Sequence, residues 1–217
     1  MIRLECEKIS RGKIAVKFSD NIVKILSVRL YDKLCITGGR EISDSEEKVL
    51  IEKIDYFLAE EIALRKIKIR KRSEFEIESE LKKNGINKYV IGVILEKLKS
   101  LRLIDDSDFA ASYINDQIKF NKKSLKKIKL ELFQKKIGRN IIEEALSRYK
   151  NESPDSCGDI ETCKKLILKK TADNPLILKN NKELKSKIIR YLLNKGFDFD
   201  AVKKSMNLDG NDFGFDE

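Results

Sequence analysis

The chain has 217 residues, 41% of them hydrophobic, with 38% charged side chains and a formal net charge of +10. That is too much apolar content for a wholly disordered chain, and more charge than the roughly one quarter of an ordinary domain, a balance that suits helical repeats with much surface per unit of core. The lack of histidine excludes imidazole acid/base catalysis and every zinc site with a histidine ligand, and ten glycines with two prolines are too few turn formers for an all-β fold.

The opening "MIRLECEKIS" has two acids and no apolar core of the signal-peptide kind, and no apolar run approaches the ~20 residues that span a bilayer. A cytoplasmic protein without membrane contact is expected. Cys6, Cys35, Cys157 and Cys163 lack C-x-x-C spacing and read as reduced thiols, not as a metal site. Residues 1–43 form a β-rich segment: "KIAVKFSD" and "IVKILSVRLY" alternate apolar and polar residues with β-branched enrichment, and Asp20-Asn21 suits the turn between them. "TGGREIS" (37–43) is a turn, after which Ser43 and Glu46 make a capping box. The helix it opens runs from about Asp44 to Ile69, within a linking segment 44–72. Val49, Leu50, Ile54, Phe57, Leu58, Ile62 and Leu64 lie largely at helical spacing.

From Ser73 onward the helical period dominates, and the chain repeats itself. "FEIESELKKNGINKYVIGVIL" (75–95), "KKIKLELFQKKIGRNIIEEAL" (126–146) and "SKIIRYLLNKGFDFDAVKKSM" (186–206) align without gaps. Ile77, Ile128 and Ile188 share a column, as do Leu81, Leu132 and Leu192; Ile86, Ile137 and Phe197; Ile91, Ile142 and Val202; and Leu95, Leu146 and Met206. Gly85, Lys136 and Gly196 align at a left-handed turn position, and Asn87, Gly138 and Asp198 follow as residues that tolerate an N-cap. Each unit is therefore a helix, a tight turn with an apolar plug, and a second helix. A third helix follows each of the first two pairs, at 105–120, where Phe109, Tyr113 and Ile114 face inward, and at 159–170. Repeats over 73–120, 121–170 and 181–208 result, with surface connections at 151–158 and 171–181 and a frayed tail at 209–217. The fold class is mainly α: tandem three-helix, helix-turn-helix-like repeats behind a short β-rich segment and a long helix.

The charge is not evenly spread. Residues 1–60 carry 11 basic and 11 acidic side chains and residues 151–217 carry 12 and 12, whereas residues 61–150 carry 23 and 13. Within that middle, Lys119–Arg139 has nine basic residues and one acid, and Arg65–Arg72 has six basic residues and none. Unneutralised charge of this density marks a polyanion or an acidic partner. The candidate residues are Arg65, Lys68, Arg70, Lys71 and Arg72 in the first cluster. In the second they are Lys119, Lys122, Lys123, Lys126, Lys127, Lys129, Lys135 and Arg139. With Leu125, Ile128 and Leu132 facing inward, Lys123, Lys126 and Lys127 fall on the opposite side with Leu130, and Lys129 and Lys136 flank the stripe. Lysines meet phosphates as point charges, so contact indifferent to sequence is expected. There is no tryptophan, and the aromatics of the repeats read as core, which leaves base stacking without support. "DDSD" (105–108) reads as helix capping, not metal binding, and no nucleotide-binding loop or nucleophile with a base is present. No catalytic residue, metal or cofactor is expected.

"IRKRSEFEIESEL" (69–81), "LRLIDDSDFAASYI" (101–114), "KKIKLELFQKKI" (126–137) and "IIRYLLNKGFDFDAV" (188–202) together resemble the RecX family, bacterial regulators of the RecA recombinase. Its middle turn departs from the family's Lys-Gly pair, reading Lys135-Lys136-Ile137, and Asn121 stands where a glycine is common. The resemblance implies an elongated, curved array of repeats that binds the RecA filament on single-stranded DNA, with double-stranded DNA as a further ligand. It implies inhibition of recombinase, ATPase and coprotease activities, in homologous recombination, DNA repair and the SOS response. A monomer without catalysis or cofactor is expected. Two other readings stand beside it: a stand-alone helix-turn-helix DNA-binding protein or transcriptional regulator, and a helical scaffold for an acidic protein.

Overall fold

The computed structural model describes residues 2–152 and 158–206, so Cys157 and the expected tail lie outside the described residues. The chain forms two compact units, one reaching to Asp105 and the other starting at Asp106.

The first unit begins with β1 (Ile2–Arg3), β2 (Glu5–Ser10), β3 (Lys13–Lys17) and β4 (Val23–Ser27), followed by α1 (Val28–Lys33) and β5 (Glu41–Ile42). β2, β3 and β4 form an antiparallel sheet in that order, with Cys6 opposite Val16 and Ile14 opposite Leu26, while β1 pairs antiparallel with β5. The expected second strand is shorter than its alternation suggests. Ser27 accepts a hydrogen bond from the Leu30 N–H through its side chain and turns "VRLYDK" into α1. β2 escapes the alternation pattern because its residues are exposed apart from a half-buried Cys6, and "TGGREIS" contains β5 as well as the turn.

α2 (Asp44–Ile69) starts at the expected capping box: the Ser43 side chain accepts from the Glu46 N–H, and Glu46 Oε2 accepts from the Ser43 N–H at 2.8 Å. This helix, about 39 Å long, serves two cores in succession. Ile54 joins Leu4, Val16, Phe18 and Leu26 under the sheet, and Ala59, Ile62 and Ala63 join the next two helices. Val49 and Leu64, placed on the stripe by spacing, are exposed, and Ala59, Ile62 and Ala63 make the second contact instead. Two buried carboxylates lock the sheet on. Glu47 accepts from the Ser19 N–H at 2.7 Å, and Asp55, 1% exposed, pairs with Lys24 of β4 at 2.6 Å. Asp55 also accepts from the Asn87 N–H at 3.1 Å, and Lys24 reaches the Gly85 carbonyl at 3.3 Å.

Three helix pairs follow the expected alignment: α3 (Glu74–Lys83) with α4 (Lys88–Ser100), α6 (Leu125–Gln134) with α7 (Arg139–Glu152), and α10 (Lys182–Asn194) with α11 (Phe199–Ser205). All fifteen aligned apolar positions are buried except Met206, which packs half-buried on its cluster. Gly85, Lys136 and Gly196 have φ of 70°, 60° and 89°. The next residues, Ile86, Ile137 and Phe197, donate their N–H back to the carbonyls of Leu81, Leu132 and Leu192 at 3.2, 3.2 and 3.3 Å. This is the Schellman cap with its apolar contact, formed in all three pairs, including the one with lysine at the left-handed position.

α5 (Asp106–Lys119) and α8 (Asp159–Lys170) complete the triplets. Phe109, Ala110 and Ile114 of α5 cluster with α6 and α7, and Cys163, Leu166 and Ile167 of α8 with α10 and α11. α5 therefore leads the pair that follows it, whereas its place in the sequence suggested that it closes the pair before. Its apolar face is filled by Ile128, Leu132 and Ile142, while the first pair is already covered by α2. α9 (Ile177–Asn180) and the buried Thr171 give the connection 171–181 more structure than expected.

Within the second unit the start of α6 docks on the turn between α10 and α11. The Ser124 N–H donates to the Lys195 carbonyl at 3.1 Å, the Ser124 hydroxyl to the Gly196 carbonyl at 2.6 Å, and Lys126 pairs with Asp198 at 2.6 Å. A Cβ on Gly196 would stand 2.4 Å from Lys127 Cβ, whereas one on Gly85 would meet nothing within 4 Å.

These contacts set three outcomes. Asp55→Ala leaves the Lys24 ammonium and the Asn87 N–H without their acceptor and should cost about 3–5 kcal/mol in urea unfolding; a destabilisation under about 1 kcal/mol would contradict the anchoring role. Gly85→Ala should cost about 1–2 kcal/mol through φ alone, and Gly196→Ala clearly more through the added clash. Burial, with the nearby Asp159 carboxylate, pushes the Cys163 thiol up to about 11. It stays protonated at pH 8, so in single-cysteine variants iodoacetamide should label exposed Cys35 in the native protein and Cys163 only on unfolding.

Candidate nucleic-acid interface

The two basic clusters lie in different units and have different fates. In the first, Arg65 and Lys68 are exposed on the last turns of α2 and have no ion pair among the described residues. Arg70 reaches Glu76 with both guanidinium nitrogens, at 3.0 and 3.1 Å, and Arg72 approaches the same carboxylate at 3.6 Å. Arg70 and Arg72 thus help seat α3, whose Ser73 cap is fully buried, and Lys71 is exposed beside them.

In the second cluster the tertiary structure neutralises part of the run. Lys123, expected to face outward, is half-buried and holds Glu131 at 2.6 and 2.8 Å, with the Tyr113 hydroxyl donating to the same carboxylate at 2.8 Å. Lys126 is taken by Asp198, and the stem of Lys127 covers Gly196. Lys129 pairs with Glu143, whose carboxyl that contact holds below the usual range. The Lys135 ammonium lies 5.8 and 5.4 Å from the ring centres of Phe109 and Tyr113. Lys119, Lys122 and Arg139 are exposed, as is Lys136, which spacing placed only at the flank. None of these four has an ion pair among the described residues. Helix spacing does not distinguish the two sets, because the partners of Lys123, Lys126 and Lys129 come from another turn, another repeat and another helix.

Lys119, Lys122 and half-buried Lys123 of this cluster border a cleft of about 800 Å³ between the second and third triplets. Among the described residues seven lysines and two carboxylates line it. Sequence reasoning singled out Lys119, Lys122 and Lys123 as candidates but not Lys165, Lys169, Lys170 and Lys195, which line the same cleft and sit in stretches with near-balanced charge. On one wall Lys170 and Lys195 both stand over the Tyr191 ring, 4.9 and 5.4 Å from its centre. Lys195 also donates to the Asn121 carbonyl. Burial, then the charges of Lys123 and Lys170, hold its ammonium below the ordinary lysine range, against a smaller opposing pull from Glu131. The aromatics are not all core: Phe120 is 77% exposed at the cleft and Tyr89 is 73% exposed on α4. Among the described residues no group of three or more cysteines and carboxylates is placed to hold a metal, and no helix is long and apolar enough to cross a membrane.

Family models for the second and third three-helix domains of RecX match residues 105–146 and 158–206, each opening at the leading helix of a triplet. The regulatory protein RecX of Clostridium acetobutylicum is 31% identical over 200 residues, covering 92% of this chain and 91% of that protein. That of Finegoldia magna is 31% identical over 183 residues, covering 83% and 85%. Among solved structures, RecX from Lactobacillus salivarius is 28% identical with a TM-score of 0.53, over 70% of this chain and 95% of its own. A second, a regulatory protein RecX at 23% identity, shares the fold with a TM-score of 0.55 over 94% of this chain and all of its own. With its repeats, their caps and these relatives in agreement, the chain belongs to the RecX family of regulatory proteins.

Proposed function

We propose that this protein is a non-enzymatic, cytoplasmic regulator of the RecA recombinase that binds the recombinase filament on single-stranded DNA and restrains its recombinase, ATPase and coprotease activities. Family membership supplies the partner. The observation that carries the DNA contact is the set of exposed cations with no ion pair among the described residues, Lys119, Lys122 and Arg139 in one unit and Arg65 and Lys68 in the other. Lysine ammonium groups and arginine forks suit phosphates or acidic recombinase surface, on single- or double-stranded DNA, without reading sequence. The helices that open after each tight turn begin with Lys88-Tyr89, Arg139-Asn140 and Phe199-Asp200, too few arginines and amides for bidentate base readout. Restraint arises from differential binding: a monomer bridging protomers favours one filament state over another and shifts extension, ATP turnover or access of cleavage substrates.

The expected result is a dose-dependent fall in DNA-stimulated ATP hydrolysis and strand exchange by the recombinase, with salt-sensitive retention on its filaments. No effect at equimolar protein and low salt would sink the reading. Lys119→Glu with Lys122→Glu should weaken filament retention several-fold at unchanged thermal stability. Reversing Lys123, Lys126 and Lys127 is not an equivalent test, because it breaks the Glu131 and Asp198 pairs and the Gly196 seam.

A further inference from the structure

The cleft between the second and third triplets has more than a surplus of charge. Its cations converge from separate parts of the fold: Lys119 and Lys122 from the end of α5 and the link to α6, Lys165, Lys169 and Lys170 from α8, and Lys195 from the end of α10. Among the described residues Asp159 and Glu161 are the acids of the lining, at the start of α8. Tyr191 brings two ammonium groups to one ring, and an anion between them would offset their mutual repulsion. Phe120 stands at the rim, 77% exposed. A phenylalanine left open among lysines contributes nothing to the core, whose neighbouring aromatics, Phe109 and Phe197, are 3% exposed. A cationic groove with an open aromatic face is the pairing that holds a single strand, phosphates on the ammonium groups and a base on the ring. A volume of about 800 Å³ is ample for a nucleotide. The carboxylates of an acidic peptide would use the lysines but gain nothing from the electron-rich face of the ring.

We propose that this cleft holds a segment of single-stranded polynucleotide, with backbone phosphates on Lys170, Lys195 and the lysines of the two walls and a base stacked on Phe120. The inference deepens the DNA arm of the regulatory reading and rests on it for its biological setting, but its test contains no recombinase.

The full chain is titrated, by fluorescence anisotropy at low salt, into labelled oligothymidylate and into an abasic strand of the same length. Unlabelled polyglutamate serves as competitor. Phe120→Ala should weaken oligothymidylate binding at least about fivefold and leave the abasic strand unchanged. Lys119→Gln with Lys169→Gln, one from each wall, should weaken both strands and lower the log–log salt slope by about 0.7 for each phosphate set free. Lys83→Gln on α3 should change neither. Circular dichroism melts should match the parent, since every substituted side chain is exposed. Parent-like binding of oligothymidylate by both cleft variants would overturn the proposal, as would equal weakening on both strands from Phe120→Ala. Polyglutamate displacing the strands at matched charge concentration would favour an acidic protein and overturn it too. A parent protein that binds the strands yet leaves the recombinase untouched would end the regulatory reading alone.

Discussion

Everything in the helical part of this protein depends on one backbone constraint, the left-handed residue that ends the second helix of each triplet. Positive φ at Gly85, Lys136 and Gly196 folds the chain back so that the next N–H meets a carbonyl five residues earlier. The same step drives Ile86, Ile137 and Phe197 into the core beside Leu81, Leu132 and Leu192. Turn, plug and stripe are one device, so the angle between the paired helices is set locally and a leading helix can be laid across the pair. At Lys136 the device survives without glycine: the strain of about 1–2 kcal/mol for an L-residue at this φ is outweighed by the buried plug and the two cap hydrogen bonds.

The Gly196 turn has a second task. Lacking a Cβ, it lets the Lys127 stem and the Ser124 hydroxyl approach, and the second and third triplets meet there through Ser124, Lys126 and Asp198. This seam shapes the cleft beside it, whose lysines come from segments that no single stretch of sequence brings together. The protein thus uses part of its lysine-rich run to assemble its own repeats and leaves the remainder, Lys119 and Lys122 among them, facing outward.

The N-terminal unit obeys a different rule. α2 carries two carboxylates, Glu47 and Asp55, into contact with the sheet, where Ser19 and Lys24 satisfy them. Such groups resemble surface residues in sequence, since nothing local reveals that Lys24, 31 positions from Asp55, will be a counterion. For the same reason β2 is illegible in the sequence: a strand with five of six residues exposed has no alternation to detect. α1 is hidden by β-branched and aromatic residues, and the serine cap overrides that propensity.

By itself the sequence determined the features that short-range stereochemistry dictates: the capping box at Ser43, the helix it starts, the three pairs with their left-handed turns, and the columns that fill the cores. Cap hydrogen bonds span three to five residues and helical stripes repeat every three or four, so both are written in adjacent letters. Only the tertiary structure decided which pair α5 belongs to, which lysines are consumed by Glu131, Glu143 and Asp198, and that Phe120 stands open beside a cleft of lysines drawn from three helices. Those outcomes depend on distances between residues 8 to 72 positions apart, and a charge is free or neutralised only once the fold has chosen its neighbours.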